Sequence, residues 1–420
     1  MKIMKQKGTK DIILNESSTW QYIEKNIREV CKVYSASEIR TPVFEATELF
    51  LRGVGNETDI VNKEMYTFLD KAGRSITLRP ELTAGVVRAY IENGLSSVTS
   101  PLKLWYIGNM YRYEKMQKGR YREFSQFGVE IFGCDSYLAD IEAICMSYNL
   151  LKRINLVNKV TLNINSIGCN MCRTKYIQNL KEYILPNLDN MCETCKVRFE
   201  KNPLRILDCK EDHCQEILLN APLITDSLCS DCKDDFSNVL NMLKSLNIDF
   251  EVNKKIVRGL DYYNKTVFEY TSKDLDLAIG GGGRYDALVG ILGGNDTPAV
   301  GFALGIDRIA LLLKNYSLDT NLNANIDLYF AIIDKSGYAK AINIANILRE
   351  YGFIVETDIC ERSFKSQLKY ADKINANYVC IIGEEEINNN KCVIKNMKSG
   401  KQNITAMESK DIIELLKKGV

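Results

Sequence analysis

Two extended segments joined by a polar loop limit what this chain can fold into. Leu102 to Gly108 and Phe124 to Phe132 both read as strands, and the charged stretch between them reads as their connection. Strands joined this way pair antiparallel, since a parallel return needs a crossover element. A short strand at Ser75 to Leu78 and a helix over 82–93 precede them, and a helix over 138–153 follows. Upstream, Trp20, Ile23, Ile27, Val30 and Cys31 fall at helical spacing and predict an amphipathic helix over 17–36. Ile39 to Glu45 reads as a strand whose Pro42 removes a ladder donor, which places it at an edge or interface. The order predicts an α+β fold on a mostly antiparallel sheet.

Residues 169–232 interrupt that pattern. They hold eight of the 14 cysteines and little strand signal, and read as an inserted, mainly helical module. Sheet signals resume at Val267 to Tyr270 and continue to Ala299–Phe302. A helix over 305–314 and an Asn/Asp-rich linker, Ser317 to Asn325, come next. Beyond the linker, strands at 327–333, 353–358, 378–383, 391–397 and 402–406 are interleaved with helices at 337–351, 363–375 and 408–418. The expected organisation is one domain from 1–168 and 250–318, an inserted Cys-rich module at 169–249, and a small α/β domain at 325–420.

Composition removes several function classes. A single histidine, His213, excludes a Ser-His-Asp triad and a His-rich metal centre. A net charge of +1 means that a polyanion must be met by local patches. No apolar run approaches the roughly 20 residues needed to span a bilayer, so no membrane partner is expected. The basic start leads into no apolar h-region, so a cytoplasmic location is expected. Lys2, Lys5, Lys7 and Lys10 read as a solvated basic start.

Several segments carry chemistry. The loop from Tyr111 to Phe124 packs five basic and four aromatic residues around Gly119, which suits phosphates and base faces. In Arg79-Pro80-Glu81-Leu82-Thr83 the acid sits where a strand gives way to a helix, the place of a first-turn or capping acid as well as of a site residue. Gly301 to Arg308 sets an arginine near a helix start, where a ligand phosphate or a π-face would compensate for the unfavourable dipole. The run Gly280 to Gly283 admits close approach of a ligand or a neighbouring backbone, or forms a tight connection between strands. Arg258-Gly259-Leu260-Asp261-Tyr262-Tyr263 combines an arginine for phosphate with phenols for a small polar ring.

The cysteines fall as Cys169-x2-Cys172, Cys192-x2-Cys195, Cys209-x4-Cys214 and Cys229-x2-Cys232. Four pairs at ligand spacing predict thiolate metal binding, with structural zinc ahead of an iron–sulfur cluster. Disulfides and free buried thiols are the other readings, and the sequence leaves open which pairs join.

Together these segments resemble the histidyl-tRNA synthetases of bacterial type, which are class II aminoacyl-tRNA synthetases. Ile39 to Glu45 is similar to motif 1, Tyr111 to Phe124 to motif 2 and Gly301 to Arg308 to motif 3. Arg258 to Tyr263 and Gly281 to Asp286 are similar to the two histidine-specific signatures. The resemblance implies a class II catalytic domain, a helical insertion over the acceptor stem and a C-terminal anticodon-binding domain. It implies an ATP-dependent, AMP-forming ligase that makes histidyl-adenylate and loads tRNA(His), with Mg²⁺ accompanying ATP and a homodimer built through motif 1. It further implies that Arg112 and Arg258 flank the α-phosphate and act as the catalytic groups. Arg308, Glu114, Arg120 and Phe124 would complete the ATP site. Glu81, Thr83 and Gln126 would take the histidine ammonium, Glu130 and Tyr263 the imidazole nitrogens, and Tyr262 the pocket wall. A regulatory subunit of ATP phosphoribosyltransferase shares this catalytic fold, but it loses the Arg-Gly loop and lacks the anticodon domain; both are present in this sequence.

Overall fold

A computed structural model describes residues 2–55, 58–209, 211–254, 256, 260–275, 277–318, 320 and 325–418. The chain forms two units, residues 1–320 and 321–420, each with its own apolar core. The first is built on an eight-stranded sheet. Its order is Ser37–Glu38, Leu102–Tyr111, Glu123–Phe132, Ala299–Gly305, Ala278–Arg284, Asn264–Ser272, Val160–Ser166, Glu251–Val252. The inner pairings are antiparallel, and the two outermost are parallel.

Alternation along the strands separates two faces. Phe127, Val129 and Ile131, with Val300, Phe302 and Leu304 beside them, join a core with helices Asn15–Val33, Tyr137–Arg153, Ser230–Ser245 and Ile306–Asn315. The intervening positions pair Gln126, Gly128 and Glu130 with Gly305, Ala303 and Gly301. Small residues dominate this second face and leave open space above it. Helix Thr83–Glu92 and the inserted helices border that space through a second core, which contains both Val86 and Tyr176.

The glycine run is a strand in mid-sheet rather than a connection. A Cβ at Gly282 would lie 2.0 Å from the carbonyl oxygen of Gly301, so the residue type sets how closely the strands approach. Arg284 ends that strand with its side chain 1% exposed. Its Nε donates to Asp140 Oδ1 at 3.0 Å, Nη1 to Cys134 O at 2.9 Å and Asp286 Oδ1 at 3.2 Å, and Nη2 to Ser136 O at 2.8 Å. It thereby ties the sheet to the start of helix Tyr137–Arg153.

The strand expected over Ile39 to Glu45 is not continuous. Ser37–Glu38 belongs to the large sheet, and Phe44–Ala46 to a three-stranded sheet with Ser75–Leu78 and Tyr66–Leu69. The chain changes sheets between them, and Arg79 stands in for a strand partner. Its Nη1 donates to Thr41 O at 2.9 Å and Pro42 O at 3.3 Å, and its backbone N–H to Val43 O at 2.9 Å.

The insertion contains helices Asn170–Ile184, Glu193–Lys201, Asp212–Leu218 and Ser230–Ser245. The last outruns the cysteines because Phe236, Val239 and Leu243 continue into the main core. In the second unit a sheet runs Val355–Thr357, Leu328–Ile332, Tyr378–Ile382, Lys391–Asn396, Gln402–Ala406, with a short helix Glu384–Asn388 that alternation did not predict. The linker Ser317 to Asn325 lies largely outside the described residues. Among the described residues no helix is long and apolar enough to cross a membrane.

Replacing Arg284 by Ala strands the Asp140 carboxylate, which is 3% exposed. The expected loss is about 3–5 kcal/mol of unfolding free energy, measured by urea denaturation; a loss below about 1 kcal/mol would contradict the role given to this ion pair.

Candidate active site

A cavity of ≈ 340 Å³ opens on the small-residue face. Its wall brings together Glu81, Thr83, Arg112, Glu114, Arg120, Phe124, Gln126, Glu130, Tyr262, Tyr263 and Arg308. Of the residues nominated from sequence for this pocket, Arg258 alone, with the adjoining Gly259, lies outside the described residues.

One end is acidic. Glu130 is 1% exposed and collects three hydroxyls. Oε1 accepts from Thr83 Oγ1 at 2.8 Å and from Tyr106 OH at 3.0 Å, while Oε2 accepts from Tyr285 OH. A carboxylate offers about four acceptor sites, so among the described residues one remains, on Oε2. Gly301 makes room for that oxygen: a Cβ there would lie 1.8 Å from it. Burial pushes the Glu130 carboxyl up to about 8; the hydroxyls of Tyr285 and Thr83 oppose that rise, and the charge of Glu81 reinforces it. Glu81 is also raised by burial, and it caps helix Thr83–Glu92 by accepting from Thr83 N at 2.7 Å and Ala84 N at 2.8 Å. Tyr262 and Tyr263 pack with ring centres 4.7 Å apart and planes tilted by 47°, and burial holds the Tyr262 phenol protonated. Two buried carboxyls that resist ionisation form a site that a bound cation would relieve.

The opposite end is cationic. Arg112 Nε donates to Pro80 O at 2.7 Å, and its guanidinium lies over Phe124 at 5.3 Å. Arg308 is fixed by Gly119 O at 3.3 Å and Ala278 O at 2.5 Å. Burial lowers the Arg308 pKa, and the nearby charges of Arg120 and Arg112 lower it further. Glu114 approaches both Arg112, at 3.8 Å, and Arg120, at 3.5 Å. Three guanidiniums that repel one another form an anion site. The cavity is therefore bipolar and can hold a small cation against a polyanion.

Sequence reasoning missed the residues that support the wall. Tyr106 was given no role, yet it pairs across the ladder with Gly128, whose missing side chain accommodates the phenol. A glycine opposite an aromatic in adjacent strands was the available signal. Tyr285 lies within the Gly281 to Asp286 segment, where residue type alone does not mark it as a partner of Glu130. Lys10 is not a solvated residue: its ammonium lies 3.1 Å from Asp307 Oδ1 and 4.1 Å from the Trp20 ring centre. Asp307 Oδ2 in turn accepts from Ser125 N at 2.7 Å, which joins the N-terminal segment to the cavity rim.

Away from the cavity the eight cysteines form two groups, Cys169, Cys172, Cys229, Cys232 and Cys192, Cys195, Cys209, Cys214, with all sulfurs of a group within 4.8 Å. A tetrahedral zinc with bonds of about 2.3 Å separates its sulfurs by about 3.8 Å. Cys169 and Cys172 sulfurs lie 3.6 Å apart, and Cys192 and Cys209 sulfurs 3.8 Å apart. Backbone N–H groups support the sulfurs: Cys229 N donates to Cys172 Sγ at 3.1 Å, and Cys192 N to Cys214 Sγ at 3.2 Å. Cys169 and Cys229 each precede a helix, so two positive helix ends converge on the first group. Such a convergence favours thiolates over thiols. Both groups are capable of coordinating a metal ion.

A family model described as histidyl-tRNA synthetase matches residues 8–309, and one described as an anticodon binding domain matches residues 327–419. The histidine–tRNA ligase of Acetivibrio thermocellus is 49% identical over 405 residues, covering 96% of this chain and 97% of that protein. The histidine–tRNA ligase of Caldanaerobacter subterraneus is 50% identical over 398 residues, covering 94% and 95%. Apo histidyl-tRNA synthetase from S. aureus superposes with a TM-score of 0.83 at 34% identity, covering 99% of both chains.

Proposed function

The chain belongs to the histidyl-tRNA synthetase family, and from that premise we propose how its cavity performs the family's reaction. It is a histidine–tRNA ligase: it activates histidine with ATP to histidyl-adenylate and pyrophosphate, then transfers histidine to tRNA(His). The observation that supports the assignment of groups is the bipolar cavity. Histidine occupies the acidic end, with its ammonium against Glu81, Thr83 and Gln126. Its imidazole lies between Tyr263 and the open acceptor site on Glu130. A ring lacking one nitrogen would leave a buried polar group unpaired, which discriminates far more than a missing methylene.

ATP takes the cationic end as its Mg²⁺ complex, the ion neutralising the outer phosphates. The histidine carboxylate attacks the α-phosphorus in line. Charge then builds on the non-bridging oxygens, where Arg112 stabilises it from a fixed position; Arg258 is assigned the opposite side. Arg308 stacks on adenine and reaches the γ-phosphate, with Glu114, Arg120 and Phe124 completing the site. No protein acid or base is needed for activation, in keeping with a chain that has one histidine. In the transfer step the terminal hydroxyl of the tRNA attacks the adenylate carbonyl, an adenylate phosphate oxygen takes its proton, and the mixed anhydride breaks to release AMP. The match to an anticodon binding domain over residues 327–419 supports the ligase reading.

Two structural assignments accompany the chemistry. Each cysteine group holds one zinc, closed by four thiolates and remote from the reaction. The exposed apolar side chains of Val43, Phe44, Phe68 and Leu69, on and beside the three-stranded sheet, provide a homodimer contact.

Three outcomes are expected. Histidine-dependent ATP–pyrophosphate exchange should fall about 10²–10³-fold in Arg112→Ala, with histidine affinity by calorimetry within about threefold; a larger loss of histidine binding would refute the phosphate role. Since Glu130 sits at about 8 in the empty pocket, it is mostly protonated at neutral pH. A bound cation favours its carboxylate, so histidine binding near pH 7 should release close to one proton, roughly, and tighten as pH rises toward 8. Calorimetry in buffers of different ionisation enthalpy measures this, and zero net release would count against it. Metal analysis of protein purified without chelator should find about two zinc ions per chain, and less than about half an equivalent would remove both sites.

A further inference from the structure

Asp261 sits between pocket residues but turns away from the pocket. Leu260, Tyr262 and Tyr263 line the large cavity, whereas Asp261 lines a separate one of ≈ 30 Å³ with Arg173, Asn202 and Arg205 of the insertion. Asn202 Nδ2 donates to Asp261 Oδ1 at 3.3 Å, and Arg205 Nη2 lies 3.7 Å from the same oxygen. Arg173 Nη1 donates to the backbone oxygens of Asp261, at 3.1 Å, and Tyr263, at 3.4 Å. On the opposite side Asp261 packs over Gly55, where a Cβ would come within 2.9 Å of its Oδ2, and its N–H reaches Val54 O at 3.4 Å.

The segment Leu260 to Tyr263 belongs to no helix or strand, so no ladder fixes the carbonyls of Asp261 and Tyr263. Arg173 bonds both of them and follows Cys172 directly in the chain. Asn202 and Arg205 lie between Cys195 and Cys209. Each cysteine group therefore adjoins one set of insertion side chains that reach this segment: Arg173 beside the first group, Asn202 and Arg205 within the second. Arg112 and Arg308 of the cationic end draw their anchors elsewhere, from Pro80, Gly119 and Ala278.

We propose that Asp261 is a positioning residue that locks the tyrosines of the histidine end onto the metal-bound insertion, so that the insertion sets histidine affinity without setting ATP affinity. The proposal rests on the assignment of the acidic end to histidine and of the cysteines to zinc.

The test compares Asp261→Ala, Asp261→Asn and Asn202→Ala with the parent holoenzyme in pyrophosphate exchange, with thermal midpoints and zinc content measured in parallel. Asp261→Ala should raise the histidine KM about tenfold, a usual size for coupling between sites. The ATP KM should stay within about twofold. Asp261→Asn keeps an acceptor for Asn202 and should recover to within about threefold of the parent. Combining Asp261→Ala with Asn202→Ala should add less than the product of the single effects. Asn202→Ala changes only the insertion side, and it serves if Asp261→Ala fails to fold. A histidine KM within about twofold of the parent, or an equal rise in both KM values, would overturn the proposal. A lowered thermal midpoint with an unchanged histidine KM would reduce Asp261 to a structural contact and overturn it too. A raised histidine KM in zinc-free parent protein of unchanged fold would support the tie while refuting the zinc assignment. A parent inactive in exchange would refute the histidine assignment instead.

Discussion

Glu130 stands where the large sheet, helix Thr83–Glu92 and the Tyr285 turn meet, and its two oxygens hold the hydroxyls of Thr83, Tyr106 and Tyr285. A carboxyl so deeply buried is costly unless its acceptor sites are filled. The fold fills three, and the fourth is the one proposed for the imidazole. Much of the neighbourhood is arranged around that residue. Gly301 vacates the volume its Oε2 occupies, and Gly128 vacates the volume of the Tyr106 phenol. The acidic end is thus assembled from subtraction of side chains as much as from their placement.

The two poles of the cavity depend on different supports. Carboxyls at one end are held by hydroxyls and by the N-terminus of a helix, whereas guanidiniums at the other are held by backbone carbonyls of the strands and the motif 2 loop. Burial of the carboxyls at one end and mutual repulsion of the guanidiniums at the other raise the energy of the empty site. A zwitterionic amino acid beside a polyphosphate lowers it at both ends together, so binding of the pair is favoured where water alone would screen poorly.

The antiparallel pair, the helical insertion and the alternating second unit were all legible, because each is written in local periodicity. The wall residues were legible because their types are poor choices for a plain core or loop. What escaped was non-local. The division of Ile39 to Ala46 between two sheets depends on Arg79, which comes in from dozens of positions downstream. Tyr106 gains its role only through its register with Gly128, and Lys10 through an acid near the far end of the unit. The cysteine spacing pointed to a capacity for metal binding, yet the grouping of the pairs into outer and inner sets is a property of helix packing.

That grouping is nested. The outer set joins Cys172 to Cys229 across 57 positions, and the inner set joins Cys192 to Cys214 across 22 positions within that span. On a ribosome the inner ligands are all synthesised before the outer set is complete. Closing the small loop first shortens the free chain that the outer closure must restrain. Where both sets close on a metal as proposed, chain order and loop closure favour assembly of the insertion from its centre outward.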